Sequence, residues 1–257
     1  MRILMLLLIS ALAACAAQPE PKAGASADGT TSPLKIADVA LANGAPAVAL
    51  RATEGVLAAD PRNSGALMRQ AKAQALLGNY SAAETAYRRA LGIDNGLDEA
   101  RLGLAGIWLR TSPVQAEKVL LEVLDRDPHN TAALNNLGVS RDLQCKHLEA
   151  QEAYRRALEV QPALASAREN LGLSLALSGK PQEGVQMLDQ VATEEGPSNR
   201  QARDNWAVAL TLSGHAVEAG QVLQEELSKP DVSKALAGYQ ALQPQAAPPP
   251  PPAPAPQ

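Results

Sequence analysis

The sequence has no phenylalanine, and among its 257 residues only two are tryptophan and four are tyrosine. Alanine and leucine supply most of the apolar side chains instead. A core without large rings requires backbones that approach one another closely. Helices rich in Ala and Leu pack in this way, and both residues have high intrinsic helix propensity. The scarcity of aromatic residues therefore favours an all-α fold.

Residues that hold metals or perform catalysis are also scarce. The three histidines, His129, His147 and His215, fall in separate predicted turns, and the chain has only two cysteines. Groups scattered in this way form neither a metal-ligand cluster nor a convergent catalytic set. We therefore predict a protein that is not an enzyme and has no catalytic residues, no metal, no cofactor and no small-molecule substrate.

Cys145 is the basis of the one enzymatic alternative. Lys146 and His147 follow it directly, and neighbouring positive charge lowers the pKa of a thiol. Under this alternative Cys145 is a redox thiol. Against it, Cys145 occupies a turn position that glycine usually takes, so exposure of the thiol there needs no catalytic reason.

An excess of positive charge is missing as well. Lysine and arginine number 23 against 27 aspartates and glutamates, which gives a formal net charge of −4. Phosphate binding requires a basic face, so we predict no nucleic-acid partner. The paired arginines of the string YRRAL, at residues 87–91 and 154–158, are interpreted as solvated outer faces of helices.

The first fifteen residues have the pattern of an export signal. Ile3 to Leu12 is an apolar run of ten residues after Met-Arg, too short to span a bilayer and the right length for a signal-peptide core. It ends in Leu-Ala-Ala-Cys, which resembles the lipobox of bacterial lipoproteins. The resemblance implies cleavage after Ala14 and acylation of Cys15, palmitate included. The alternative is a plain secretory signal.

The residues after Cys15 bear on the membrane in which a lipoprotein would be retained. Two alanines follow the cysteine, with no aspartate directly after it. By resemblance to lipoprotein sorting signals, this favours the outer membrane, with the protein anchored by its N-terminal lipid and facing the periplasm. The inner membrane remains the alternative.

Both ends of the chain differ in composition from the middle. Residues 15–31 are alanine, glycine, proline and polar side chains, which bury too little apolar area to order the segment, and we predict a flexible tether there. Residues 243–257 are proline-rich and are predicted to be a disordered tail that samples polyproline II.

The middle of the chain repeats one unit. "NNLGVSRDL" at residues 135–143 returns as "ENLGLSLAL" at 169–177, 34 residues later. This interval, with small residues at Gly138 and Ala150, an aromatic at Tyr154 and a proline at Pro162, resembles the tetratricopeptide repeat, a pair of antiparallel helices. Each pair has an apolar face that only the next pair can cover, so the resemblance implies an all-α, α/α superhelical solenoid of five to six repeats.

The repeats give the following predicted organisation. A signal peptide (1–14) and tether (15–31) precede a solenoid (32–242), with repeats near 30–63, 64–97, 98–130, 131–164, 165–199 and 200–232, a capping helix at 231–242, and the tail at 243–257. The repeat near 98–130 is one residue short, which we assign to the turn at Ser112.

Local patterns predict several helix ends. Ser81 and Glu84 have the spacing of a capping box, and Pro113 has the place of a first helical residue. Glycines that follow the first helix of a pair are expected to adopt the left-handed conformation that ends a helix; they are Gly44, Gly78, Gly179 and Gly214.

The candidate partner-binding groove comes from the first helix of each repeat. The repeat register predicts that its polar and apolar positions share one concave face, and an asparagine amide both donates and accepts hydrogen bonds, as binding of an extended peptide requires. The alternative is that these asparagines bond between repeats. The candidate residues are Asn135, Asn136, Val139, Glu169, Asn170, Leu173, Asp204, Asn205 and Val208, with Arg69 and Lys72 as a basic end opposite the acidic Glu169 and Asp204.

The amino-acid sequences of three repeats are more specific than the general motif. "NNLGVSRDLQCKHLEAQEAYRRAL", "ENLGLSLALSGKPQEGVQMLDQVA" and "RDNWAVALTLSGHAVEAGQVL" resemble the TadD family of Flp/Tad pilus-assembly lipoproteins over roughly residues 64–227. Trp206 and the long proline tail depart from the family pattern.

This resemblance implies a non-enzymatic outer-membrane adaptor. Its partners would be the pilus secretin, which it helps to localise or multimerise, and other Tad components. The alternatives of the same class are a type IV pilotin, a β-barrel assembly lipoprotein and a scaffold for peptidoglycan hydrolases.

Overall fold

The computed structural model describes residues 32–195 and 199–242. The predicted signal peptide, the lipidation site Cys15, the tether and the proline-rich tail therefore lie outside the described residues. Within those two ranges, no helix combines the length and the apolar character that crossing a bilayer requires.

The described residues form thirteen α-helices and no strand, which confirms the all-α prediction. They are α1 (Pro33–Ala42), α2 (Pro46–Ala59), α3 (Ser64–Leu76), α4 (Tyr80–Ile93), α5 (Asp98–Thr111), α6 (Pro113–Leu124), α7 (Thr131–Leu143), α8 (His147–Val160), α9 (Ala165–Leu177), α10 (Pro181–Glu195), α11 (Arg200–Leu212), α12 (Ala216–Gln224) and α13 (Lys229–Gln240).

The chain divides into two compact units between Leu171 and Gly172, a point within α9. In the first unit each helix from α1 to α7 packs against the next along the chain, and first helices of successive pairs also touch, α1 with α3, α3 with α5 and α5 with α7. In the second unit α10 packs on α11, α11 on α12, and α13 contacts both α11 and α12. Such nearest-neighbour packing is the pattern of a repeat protein.

Short links close the helix pairs. Five of the six described pairs are joined by three residues, and in four of these links the glycine predicted to be left-handed has a φ of 66° to 90°. At the equivalent place between α7 and α8 stands Cys145, with φ 61°. A side chain in this conformation costs roughly 1–2 kcal/mol, so this turn is strained where the others are not.

The third pair closes differently. Only Ser112 separates the end of α5 from the start of α6, and Pro113 is the first residue of α6, as predicted. The Ser140 hydroxyl of α7 donates a hydrogen bond to the Pro113 carbonyl at 2.6 Å. The shorter repeat is therefore accommodated at the link, and the next pair packs over it.

Three asparagines fix the starts of first helices. Asn63, Asn130 and Asn199 each accept a hydrogen bond at Oδ1 from the backbone N–H three residues ahead, at 2.9, 3.0 and 3.0 Å. Asparagine is among the best N-cap residues. The capping box predicted at Ser81 is wrong, because α4 begins at Tyr80 and Ser81 lies inside the helix.

Tyr87 and Tyr154 are buried aromatic residues in the core of the first unit. Tyr154 of α8 lies over Gly138 of α7, where a Cβ would be 2.6 Å from ring atoms Cδ1 and Cζ. Tyr87 of α4 reaches forward to α5, where a Cβ on Gly103 would be 2.6 Å from its Cε2 and Oη. Each ring occupies space that exists only because the facing residue has no side chain.

The second unit makes the same kind of contact with aliphatic residues. A Cβ on Gly172 of α9 would lie 2.7 Å from Cγ of Leu188, which is fully buried in α10. A Cβ on Gly184 would lie 2.6 Å from the carbonyl oxygen of Gly172. The two helices therefore cross with backbone almost against backbone.

Replacing Gly103 with alanine is expected to lower the free energy of unfolding by about 1–3 kcal/mol, since the new methyl group overlaps the Tyr87 ring. Gly106 is a control in the same helix, because nothing lies within 4 Å of the Cβ position there. Gly106→Ala should stabilise by up to about 1 kcal/mol through helix propensity. Urea unfolding followed by circular dichroism measures both, and equal stabilities of the two variants would contradict the contact.

Candidate functional site

The candidate groove residues of the first unit lie on two first helices. Asn135, Asn136 and Val139 are on α7, and Glu169 and Asn170 are on α9. All five are buried, with exposures between 1 % and 7 %. The prediction placed them on an accessible face, whereas in the structure they are covered within the chain. Contact with a partner through these side chains stays a prediction.

One hydrogen bond joins the two helices through these amides. The Nδ2 of Asn170 donates to Oδ1 of Asn135 at 3.0 Å, across 35 residues of sequence. For this pair the alternative that the asparagines bond between repeats is confirmed. The bond also shows that the amide aligned with Asn170 is Asn135 and not Asn136.

Two amide oxygens among these buried candidate residues have no hydrogen-bond partner. Among the described residues, Oδ1 of Asn136 and Oδ1 of Asn170 are buried with no donor in reach. A buried acceptor left unpaired costs about 1–3 kcal/mol. The first unit therefore holds two amide oxygens that a backbone N–H of an added segment could satisfy.

The second unit holds the remaining apolar and amide candidates. Leu173 of α9 and Val208 of α11 are fully buried and belong to the core, as Val139 of the first unit does, which corrects their predicted role as an accessible groove floor. Asn205 is also fully buried; its Oδ1 accepts from Nε2 of Gln201 at 3.0 Å, and its Nδ2 has no partner within the described residues. The face of α11 is thus packed and carries one unpaired amide donor.

Asp204 sits in a mixed environment on α11. Partial burial raises the pKa of its carboxyl, and the nearby guanidinium groups of Arg200 and Arg203 act in the opposite direction. Arg200 Nε is 3.6 Å from Asp204 Oδ2. Burial, with a smaller contribution from the charge of Asp204, raises the pKa of Tyr239 on α13 to about 12. Asp204 therefore acts electrostatically on the last helix.

The predicted basic end of the groove is neutralised. Arg69 binds Asp38 of α1 through two hydrogen bonds of 2.7 Å and also donates to the Gly65 carbonyl. Lys72 pairs with Glu99 of α5. Both cations bridge to a carboxylate on a neighbouring first helix, so the idea of a free basic end is wrong. As partly exposed pairs they add little stability, but they align α3 with its neighbours.

A polar cluster in the fourth pair was missed at the sequence level. Asp142, with no exposed surface, accepts a 2.9 Å hydrogen bond from the Tyr154 hydroxyl and lies 2.8 Å from Nδ1 of His147. Burial and the charge of Asp142 hold the pKa of Tyr154 well above its ordinary value. The signal for this cluster was an acid near the end of one helix, with a histidine at the start of the next.

Cys145 is exposed and forms no disulfide within the described residues. The charged group of Lys146 lies 3.4 Å from Oε2 of Glu117, and His147 contacts Asp142. Both neighbours expected to activate the thiol are therefore directed to carboxylates. The structure adds no group that would favour the redox alternative.

The arginines of the YRRAL strings have a partner in the preceding loop. Arg89 Nη2 donates to the carbonyl of Pro61 at 3.1 Å, and Arg156 Nη2 donates to that of Pro128 at 3.5 Å. The helix faces are solvated, as interpreted, but each string also binds the proline that closes the previous repeat.

The Asn135–Asn170 bond can be measured with a double-mutant cycle. We expect Asn135→Ala and Asn170→Ala to show a coupling of about 0.5–1.5 kcal/mol in the free energy of unfolding, the usual range for a net hydrogen bond. The exposed pair Asn79 and Gln74, 2.9 Å apart, is the control and should couple by less than about 0.5 kcal/mol. Additive effects at both pairs would contradict a stabilising hydrogen bond between Asn135 and Asn170.

The raised pKa of Asp204 predicts how stability changes with pH. Because the folded pKa lies above the unfolded one, ionisation destabilises the fold as pH rises through that interval. As pH rises from about 3 to about 7, the free energy of unfolding of Asp204→Asn should therefore increase relative to that of the wild type. The increase should be less than about 1 kcal/mol because solvent reaches the carboxyl. Chemical unfolding across this range measures the free energy of unfolding of the variant minus that of the wild type. A difference that falls as pH rises would contradict the burial effect.

Comparisons with known proteins agree with this architecture. The family model of the tetratricopeptide repeat matches residues 34–98 and 146–200. Over 71 residues the chain is 44% identical to y4yS, an uncharacterized protein of Sinorhizobium fredii, covering 28% of this chain and 39% of that protein. Over 109 residues it is 33% identical to the probable peptide N-acetylglucosaminyltransferase SPINDLY of Hordeum vulgare, covering 39% of this chain and 11% of that protein.

The chain thus spans well under two thirds of the length of these relatives. Among solved structures, it is similar to PilW, described as a widely conserved type IV pilus biogenesis factor. The TM-score is 0.69 at 19% identity, over 79% of this chain and 96% of PilW. Identity at this level shows a common fold. Together with the thirteen helices of the described residues, these matches show that the chain carries tetratricopeptide repeats and has the all-α solenoid fold that they build.

Proposed function

We propose that this protein is a non-enzymatic adaptor of Flp/Tad pilus assembly, held at the outer membrane by a lipid on Cys15. Its repeats bind a segment of the pilus secretin and so promote its localisation or multimerisation. Repeat solenoids bind proteins over extended faces, and the TadD-like wording of residues 64–227 and the lipobox support this assignment. The fold that it shares with PilW, a type IV pilus biogenesis factor, is consistent with it.

The observation that carries the binding role is the pair of unpaired amide oxygens on Asn136 and Asn170. An extended polypeptide offers backbone N–H donors at intervals, and each donor that reaches one of these oxygens removes the cost of a buried, unpaired acceptor. A partner reaches them only by replacing the contacts that now bury them. Binding would therefore couple to a local rearrangement of this face.

Lipid anchoring supplies the second part of the mechanism. A protein held at the membrane meets a membrane-bound partner at a high effective concentration, so a modest intrinsic affinity suffices. A secretin subunit approaching the outer membrane would then be captured where it must assemble. The other envelope adaptors, a pilotin of another type IV system, a β-barrel assembly lipoprotein or a peptidoglycan-hydrolase scaffold, share the anchor and differ in the captured protein.

Asn136→Ala separates binding from folding. Because Oδ1 of Asn136 has no partner, its removal should leave the free energy of unfolding unchanged or raise it by up to about 1 kcal/mol, while capture of the secretin falls. The assay is crosslinking and affinity purification of the mature protein from membranes of cells that express the pilus system, with the secretin quantified by immunoblot.

Asn79→Ala, at an exposed amide bonded only to Gln74, is the matched control and should capture the secretin as the wild type does. Recovery of barrel-assembly subunits without secretin would overturn the proposal. The anchor is tested separately by Cys15→Ser, which should move the protein from the membrane fraction to the soluble periplasm and stop pilus formation.

A further inference from the structure

The first helix pair ends in an apolar surface. Ile36 and Val39 of α1 and Val48 of α2 are 40%, 58% and 39% exposed. They surround a shallow depression of about 280 Å³ whose other lining residues are Ala40, Asn43 and Ala45. We call these six residues the apolar end face. The opposite side of the pair is buried, with Ala37 and Ala49 fully covered.

A terminal repeat of a solenoid normally has a polar outer face, which keeps it soluble. In the second unit the final helix conforms to this rule, because α13 buries Val232 and Tyr239 and leaves mostly polar residues outside. The apolar end face breaks it. Three large aliphatic side chains in one small area indicate a surface that is covered by something else in the working protein.

The segment that precedes α1 has few apolar side chains with which to cover this face. Residues 16–31, "AAQPEPKAGASADGTT", contain no leucine, isoleucine, valine, methionine or aromatic side chain. Ala residues and charged groups bury too little apolar area to replace water over three aliphatic side chains. The composition of this segment therefore favours a cover other than the segment itself.

The length of that same segment favours the membrane as the cover. Seventeen residues lie between Cys15 and Pro33, so even a fully extended chain holds α1 within roughly 60 Å of the lipid. A flexible chain of this length has a typical span of roughly 20–25 Å. Of the described helices, the first pair is the nearest along the chain to the proposed anchor, which keeps it within reach of the bilayer.

The charges of the first pair allow close approach to lipid headgroups. Between Pro33 and Ala59 the charged residues are Lys35 and Arg51 against Asp38 and Glu54. Asp38 is already paired with Arg69 at 2.7 Å. The pair thus lacks the acidic excess of the chain as a whole, whose net charge is −4, and anionic lipids would not repel it.

We propose that the apolar end face inserts into the headgroup boundary of the bilayer next to the lipid anchor. This inference rests on the anchoring in the proposed function. The face is too small to bind membranes alone, but an anchored protein needs little further attraction to dwell there. The contact sets the direction in which the other repeats of the first unit are presented to a partner, which a lipid on a tether would not do.

The test measures how deeply one residue, at position 39, enters the bilayer. The mature chain from residue 16 is given an N-terminal hexahistidine and held on vesicles of phosphatidylethanolamine and phosphatidylglycerol that contain nickel-chelating lipid. Cys145→Gly removes the exposed thiol and suits the positive φ there. Val39→Cys then carries an environment-sensitive fluorophore, which should be quenched by lipids with nitroxides near the headgroup, as expected of a residue roughly 5–10 Å deep.

Val114→Cys in α6 is the matched control, because its exposure of 65% is similar to that of Val39; its fluorophore should not be quenched. A second variant, Ile36→Ser with Val39→Ser, should abolish quenching of a fluorophore at Val48→Cys. Equal quenching at residues 39 and 114, or none at either, overturns the inference.

Binding of a second copy of the chain to the apolar end face would give a different result. If sedimentation shows self-association that Val39→Ser abolishes, and residue 39 is shielded without vesicles, the face belongs to a second copy of the chain and the membrane contact is wrong. The nickel-chelating lipid supplies the anchor, so these outcomes do not depend on acylation of Cys15. Failure of the anchor itself appears only in the Cys15→Ser fractionation.

Discussion

Close approach of helix backbones is the constraint on which the structure depends. The rings of Tyr87 and Tyr154 and the side chain of Leu188 each fill a space that a facing glycine leaves open. With so few aromatic residues, the core gains its apolar burial by bringing α-helices together and not by filling gaps with large side chains. Any residue with a Cβ at these glycines would separate two helices, and the next pair would lose the surface on which it packs.

Polar contacts then fix how neighbouring pairs are aligned. Arg69 and Lys72 join first helices through carboxylates, Asn170 joins them through an amide, and Arg89 and Arg156 bind the proline loops of the preceding repeats. The ion pairs of Arg69 and Lys72 are partly exposed and weak by themselves. Their value is directional, because apolar packing allows helices to slide and hydrogen bonds do not. The amide oxygens left over on Asn136 and Asn170 are the exception, and they are the reason for assigning binding to this face.

The sequence predicted the helices well because their determinants are local. Gly138 and Tyr154 stand at the spacing that sets one helix against another, and Ser112 with Pro113 marked the shortened link. The candidate site was predicted less well. The 34-residue interval aligns Asn136 with Asn170, but in the packed repeats the amide that bonds to Asn170 is that of Asn135. Arg69 and Lys72 were predicted to form a basic end of the groove. Their carboxylate partners are 31 and 27 residues away in the sequence and become neighbours only when the repeats pack. The buried cluster around Asp142 depends on the same long-range information.

The single-residue link at Ser112 has a consequence for how the repeats of this chain are recognised. Although this link has one residue where the others have three, α5 and α6 remain paired and the following repeat packs on them, with Ser140 bonded to the Pro113 carbonyl. The stretch from 99 to 145, which falls between the two segments matched by the repeat family model, contains this link and the strained turn at Cys145, yet it keeps the same helices. In this chain, helices therefore identify repeat units over a stretch that the family model does not match.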